Sequence, residues 1–276
     1  MIDLHTHSTA SDGEKTPAEV VKEASRRGLQ GISLTDHNGI WGVSEAARTA
    51  DSLGLEFIEG LEITAQFEGT DVHILGYSRN FRREILEAGL ADTRAGYEQR
   101  LKEMTQKCQA AGYDNVSWED IAARRAGWKN PAHVSFDLAA ELRDKYGLDL
   151  EAARQLTVTG GACHVPYGSW ALAPAAAVAL VHNAAGVASL AHPGTIEFEG
   201  GREKLDALLD YLIKAGLDGI EVWHPFHAEE YSARLLKISE ARGLTATGGS
   251  DWHGPNHLPK NNAAFGAFGV SALPVM

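Results

Sequence analysis

Two histidines one residue apart, His5 and His7, close a short apolar run at the start of the chain. Alternate residues of a strand point to the same side, so both imidazoles can face one metal ion. Alone, this spacing is a weak signal. It gains weight because the same residue types recur where other apolar runs end. Asp12 follows in a turn, Asp36-His37 ends the next run, and Glu62 and His73 lie in the two after that. His192, His224, Asp251 and His253 end or follow the later ones. Histidines scattered for packing or solvation would not cluster in this way. A donor set of imidazoles and carboxylates without thiolates suits Zn²⁺, Mn²⁺ or Fe²⁺ and disfavours a structural zinc knot. So many donors would over-supply one ion and fit two or three.

Donors far apart in sequence converge only if the fold brings strand ends together. Residues 1–5 read as a short strand, and Thr16-Pro17-Ala18-Glu19 as a helix start with a capping box and proline at the first helical position. That helix stops near Gly28. Strands are expected over 31–35, 56–64 and 71–77, with a helix over 42–53 between the first two. From 81 to about 186 the rhythm is helical, with helices expected over 82–111, 118–125, 134–145 and 150–156. The α/β alternation then returns: helices over 174–185, 204–215 and 229–242, and strands over 187–191, 219–223 and 244–247. Repeated β-α units predict a parallel sheet closed, or nearly closed, into a barrel. In such a barrel the C-terminal strand ends share one face, where active sites sit.

The chain has 276 residues, 44% of them hydrophobic, which suffices for one large core. No apolar run is long enough to span a membrane, and no secretory signal pattern opens the chain. Cys108 and Cys163 are far apart, so they read as buried or idle thiols, and a cytoplasmic location is expected. The formal net charge is −12, which disfavours long nucleic acids. A small anionic substrate fits if metal ions supply local positive charge.

The segments His5-Thr6-His7-Ser8, Ser11-Asp12-Gly13, Leu34-Thr35-Asp36-His37, Gly60-Leu61-Glu62-Ile63, Val72-His73-Ile74-Leu75-Gly76, Leu190-Ala191-His192-Pro193 and Gly249-Ser250-Asp251-Trp252-His253 together resemble the PHP (polymerase and histidinol phosphatase) family, in that family's order. The resemblance covers most of the chain. It implies a distorted (β/α)7 barrel, with a barrel domain formed by 1–80 and 186–276 and an inserted helical subdomain, 81–185, covering the active site. It also implies a ligand set: His5, His7, Glu62 and Asp251 on one ion, Glu62 bridging to a second completed by His73 and His192, and Asp12, His37 and His253 on a third. The reaction it implies is hydrolysis of a small phosphate ester, a nucleotide or sugar phosphate, as a monoester or a cyclic phosphodiester. The nucleophile would be a hydroxide held between two metal ions, with Glu62 and Asp251 as catalytic residues.

The helical stretch is similar to that of the PHP branch acting on small nucleotide phosphates. Arg94 and Arg100 resemble basic positions of its first helix, and residues 161–167 its closing segment. His133 matches a histidine of that branch, but Pro131 stands where the branch has an arginine that would clamp a second phosphate. Arg124, Arg125 and Lys129 are nearby substitutes. His227 matches a branch histidine that would bind phosphate or protonate the leaving oxygen. The expected substrate contacts are therefore Arg94, His133 and His227, while His224 carries a weaker signal. Trp223 and Phe226 are candidates to line the pocket. The alternatives are a histidinol-phosphate phosphatase, a short-RNA exonuclease and a non-catalytic PHP module; the last is disfavoured because no ligand position is lost.

Overall fold

The computed structural model describes residues 1–127, 135–256 and 264–270. Seven strands follow one another in sequence order around a nearly closed barrel: β1 (Ile2–Asp3), β2 (Gly31–Leu34), β3 (Glu56–Phe67), β4 (Thr70–Ser78), β5 (Val187–Leu190), β6 (Gly219–Trp223) and β7 (Thr245–Gly248). The last strand returns to the first. The Leu4 N–H donates to the Gly248 carbonyl at 3.3 Å, and Thr6 bridges to Trp252 in parallel. Alternating with the strands are helices α1 (Pro17–Arg26), α2 (Val43–Leu53), α7 (Pro174–Asn183), α8 (Pro193–Lys214) and α9 (Glu229–Arg242). Helices α3 (Arg83–Ala110), α4 (Trp118–Ala123), α5 (Ser135–Tyr146) and α6 (Leu150–Thr157) lie between β4 and α7 in sequence.

Local chemistry explains several boundaries. The Thr16 side chain accepts from the Glu19 N–H, and Glu19 accepts from the Thr16 N–H, so the capping box ahead of α1 is complete. Helix α8 is longer than the expected 204–215. It starts at Pro193 and breaks at Gly201, whose φ of 79° only glycine adopts readily.

The sheet is not wholly parallel. β4 runs antiparallel to both β3 and β5, and the other strands run parallel to one another. Glu68 and Gly69, at φ 49° and 78°, make the tight two-residue turn that reverses the chain. This corrects the expectation of a parallel sheet. It also explains how His73, near the start of β4, reaches the face where the other strands end.

Side-chain alternation divides the two faces. On β3 and β4, Leu61, Ile63, Ala65, Val72 and Ile74 pack outward into the large core beneath the helices. Ile58, Leu75 and Tyr77 join Leu4 and Ala191 in a smaller cluster, on the strand faces that also carry Glu62 and His73. The barrel is narrow here: a Cβ on Gly60 would lie 2.3 Å from Ser33 Oγ. A separate core gathers Tyr97, Leu101, Met104 and Cys108 of α3 with Ile121, Leu138, Leu142, Ala153 and Cys163. Helix α3 serves both cores, because Leu86 and Leu90 of its first half belong to the barrel.

Cys108 and Cys163 form a disulfide within the second core, with Cα atoms 5.0 Å apart. The reading of two idle thiols is therefore corrected, and the cysteine-based argument for a reducing compartment goes with it. Among the described residues no helix is long and apolar enough to cross a membrane.

Candidate metal centre

The donors singled out in the sequence meet at one end of the barrel. His5 and His7 lie just beyond β1. Their Nε2 atoms stand 3.3 and 3.2 Å from Glu62 Oε2, and 3.4 and 3.3 Å from Asp251 Oδ1. Donors bound at about 2.1 Å around a tetrahedral ion stand roughly 3.4 Å apart, so this spacing is that of a coordination sphere. The other Glu62 oxygen faces a different pair: Oε1 lies 2.8 Å from His73 Nδ1 and 3.0 Å from His192 Nε2. A third group places Asp12 Oδ1 3.2 Å from His253 Nε2, and Asp12 Oδ2 3.7 Å from His37 Nε2. His7 Nδ1 and His37 Nδ1 lie between the groups.

Four imidazole nitrogens of this set are buried without a hydrogen-bond partner: His5 Nε2, His7 Nδ1, His7 Nε2 and His37 Nδ1. Buried polar atoms are normally paired, because leaving one unpaired costs about 1–3 kcal/mol. A neutral imidazole offers one lone pair and keeps an N–H on its other nitrogen, so a divalent cation would take one nitrogen of each of these histidines, together with the carboxylates that converge on it. Burial pushes the Glu62 carboxyl up, but His37, His73 and His5 outweigh it and hold Glu62 well below the usual carboxylate range. Asp12 and Asp251 are likewise held low against burial, each chiefly by His253. All three are therefore anionic at neutral pH, as ligands must be.

Further contacts hold the ligands in place. Asp36, which the sequence did not mark as a ligand, accepts from the Ser8 N–H, Ser8 Oγ and Ser11 Oγ at 2.8, 2.7 and 2.6 Å, and so shapes the loop leading to Asp12. Asn38 clamps the His37 segment to Thr64 of β3. Glu221 of β6, missed in the sequence, is fully buried. It receives His5 Nδ1 at 3.0 Å and the His192 N–H at 2.7 Å. A carboxylate inside the apolar run Ile220–Val222 was the available signal, since buried charges need partners. Asn38, His192 and Asp251 adopt positive φ (50°, 24° and 50°), a backbone strain that concentrates at functional sites.

A cavity of about 280 Å³ opens over these groups. Asp12, His37, Glu62, His73, His192, Asp251 and His253 line it from the barrel, and Tyr97, Phe136, Arg154 and Tyr167 line it from the helical layer.

Three expected substrate residues fare differently. Arg94 does not line the cavity. Its guanidinium donates to the Glu87 carboxylate and the Asn38 carbonyl and stacks over Trp41. His227 does not line it either. Its Nδ1–H donates to the Val222 carbonyl at 2.9 Å and its Nε2 accepts the Gly194 N–H at 3.2 Å, so both nitrogens are held by backbone. Both side chains, expected as substrate contacts, are thus engaged with neighbouring groups of the fold. His133, with Pro131 and Lys129, lies outside the described residues.

Of the nearby substitutes, Arg124 pairs with Glu141 and Asp144. Arg125 pairs with Asp137 and donates to the Gly13 carbonyl beside Asp12. His224 does line the cavity. It is fully buried; its Nδ1 accepts the Phe226 N–H, and its Nε2 sits 3.5 Å from Asp251 Oδ2. Phe226 lines the cavity as well, 47% exposed.

The PHP domain family profile matches residues 3–158. The chain belongs to the PHP family. A 3′,5′-nucleoside bisphosphate phosphatase of Chromobacterium violaceum is 33% identical over 92% of this chain and 87% of its own length. A 5′-3′ exoribonuclease of Haemophilus influenzae is 31% identical over 92% of this chain and 90% of its own. Among solved structures, a Bifidobacterium adolescentis protein assigned as a metal-dependent phosphoesterase superposes with a TM-score of 0.83. It shares 31% identity and covers 94% of this chain and 89% of that one. The likeness to a solved PHP-type structure agrees with the barrel architecture described above.

Proposed function

We propose that this PHP protein hydrolyses small phosphate esters, as a phosphomonoesterase or on a small phosphodiester, with two or three divalent ions held by the clustered donors. The observation that carries the reading is the placement of Glu62, whose two oxygens face two different histidine groups at the floor of the cavity. In this reading His5, His7, Glu62 and Asp251 hold one ion, Glu62, His73 and His192 a second, and Asp12, His37 and His253 a third. Mn²⁺, Zn²⁺ and Fe²⁺ all suit such a set. When bound, the ions supply an activated water and neutralise charge on the phosphoryl group.

The chain's own residues do the rest. Glu62 and Asp251 fix the geometry of the centre. His224, whose Nδ1 accepts from the Phe226 N–H, would keep its proton on Nε2 when neutral, where it faces Asp251 Oδ2 at 3.5 Å in the cavity wall and would orient that ligand. Residues 81–185 act as the inserted cover and 1–80 with 186–276 as the barrel domain. The relatives support both kinds of ester, one being a phosphatase and the other a ribonuclease. The net charge of −12 favours short substrates over long nucleic acid.

The test is a phosphate-release and product screen on the purified protein with Mn²⁺ or Zn²⁺ supplied. It covers nucleoside mono- and bisphosphates, sugar phosphates, cyclic phosphates, histidinol phosphate and short oligoribonucleotides. Turnover of small esters is expected. No turnover of any of them by metal-loaded protein would overturn the reading.

A further inference from the structure

We propose that Arg154, on α6, is a specificity residue that binds a second phosphate of the substrate; this rests on the phosphoesterase reading above. The cavity is rich in carboxylates: Asp12, Glu62, Asp71, Glu199 and Asp251 line it, and Arg154 is the one arginine or lysine among its described lining residues. Other arginines of the helical layer are committed elsewhere. Arg94 is held by Glu87, Arg124 by Glu141 and Asp144, and Arg125 by Asp137. Arg100 donates to the Val165 carbonyl and stacks on Tyr167. Arg154 forms no ion pair among the described residues, even with acidic groups on the same cavity wall. Asp71 instead accepts the Tyr167 hydroxyl at 2.9 Å.

The backbone beneath Arg154 is anchored. Asp149 caps α6 through the Ala152 N–H at 2.8 Å, and the flanking residues Ala153 and Thr157 are buried. A half-buried arginine on a capped helix, lining a cavity and without an ion pair among the described residues, offers a fork for a phosphate. It adds nothing to the centre that cleaves the first ester, because that centre draws its positive charge from the metal ions. It would be used only when the substrate carries another anion. Phe136 and Phe226 line the same space and offer flat apolar surface for the group joining the two phosphates. The proposed substrate is thus a bisphosphate with a flat apolar group between its two phosphates.

The experiment compares adenosine 3′,5′-bisphosphate with adenosine 5′-monophosphate on wild type, Arg154→Gln and Arg154→Lys. Both kcat/KM and calorimetric affinity are measured on metal-loaded protein. Wild type is expected to favour the bisphosphate. Arg154→Gln should lose about 10- to 100-fold against the bisphosphate, mainly in KM, with the monophosphate changed less than about threefold. Arg154→Lys should recover part of the loss. Equal losses on both ligands, or a bisphosphate preference that survives in Arg154→Gln, would overturn the proposal while leaving the phosphoesterase reading intact. A wild type with no preference between the two compounds would overturn it as well. If wild type turns over neither compound nor any other ester, the phosphoesterase reading fails. Calorimetry then still decides whether Arg154 selects the bisphosphate.

Discussion

Glu221 Oε1 lies 3.0 Å from His5 Nδ1, with both side chains fully buried, and Glu221 Oε2 accepts the His192 N–H. One carboxylate therefore orients two proposed ligands, turning His5 Nε2 toward Glu62 and Asp251. Burial raises the Glu221 carboxyl, but His5 outweighs it and holds it below the usual range. Such carboxylate–histidine pairs raise the basicity of the ligand and fix its tautomer. Glu221→Gln should weaken metal affinity about 10- to 100-fold, read by competition with a chelator. Unchanged affinity would remove this orienting role.

Glu62 touches two donor groups, so its loss should be more damaging than that of any single histidine. Glu62→Ala is expected to lower kcat/KM by about 10³-fold or more and to reduce the metal retained per chain. Elemental analysis and kinetics on the same preparation check both. A variant that keeps its metals and most of its rate would move the chemistry away from this carboxylate.

His224 and His227 are three residues apart but have different surroundings. His224→Ala should weaken metal affinity about 10- to 100-fold with little loss of fold stability, because it removes the imidazole facing Asp251. His227→Ala should cost stability first, since it leaves the Gly194 N–H and the Val222 carbonyl without their partner. The reverse pattern in paired metal-affinity and melting measurements would contradict both assignments.

His227 also yields a pH prediction. Burial, together with neighbouring His224, lowers it to about 4, whereas in an unfolded chain it titrates near 6.5. Above pH 6.5 both states are neutral and the group has no effect. Between 6.5 and 4 the unfolded chain takes a proton that the folded chain refuses, so stability falls, by about 3 kcal/mol in total. Urea unfolding of metal-free protein should therefore decline less steeply over this window in His227→Asn than in wild type. Parallel curves would contradict the assignment.

The Cys108–Cys163 bridge closes a loop with a sequence separation of 55. Reduction, or Cys108→Ala with Cys163→Ala, should remove about 2–4 kcal/mol of stability, seen as a lower Tm. The double variant should keep its metal content, because the bridge lies in the second core and not in the barrel.

Much of this was legible because the decisive residues obey local rules. The Thr16–Glu19 capping box marks its helix from four letters, and the nine proposed ligands sit in short motifs, all but Glu62 and His73 just beyond strand ends. The direction of β4 is also written in the spacing of its neighbours. The expected strands 56–64 and 71–77 are too close in sequence for the crossover that parallel neighbours require. The first turns of α8 were hidden by Gly194, Gly200 and Gly201, poor helix formers that tertiary packing overrides. Which histidine of His224-Pro225-Phe226-His227 faces the cavity depends on the path of a turn, and Arg154 is only one polar residue of a helix until its neighbours in space are known. The pairing of Cys108 with Cys163 is equally non-local.

The reversed β4 has a further consequence. Because β4 starts beside the metal centre and ends at Ser78, opposite the early part of β3, the chain leaves the sheet at the barrel's far end. The helical layer must nevertheless reach the mouth. The first half of α3, from Arg83 to Tyr97, about 21 Å at 1.5 Å per residue, makes that climb, since Tyr97 lines the cavity. This half of the helix is thus a strut whose length sets the height of Tyr97 above the ligands. Removing one turn from its middle would lower Tyr97 by about 5.4 Å and rotate what the helix presents, a change of substrate size written in a helix that touches no metal ligand directly.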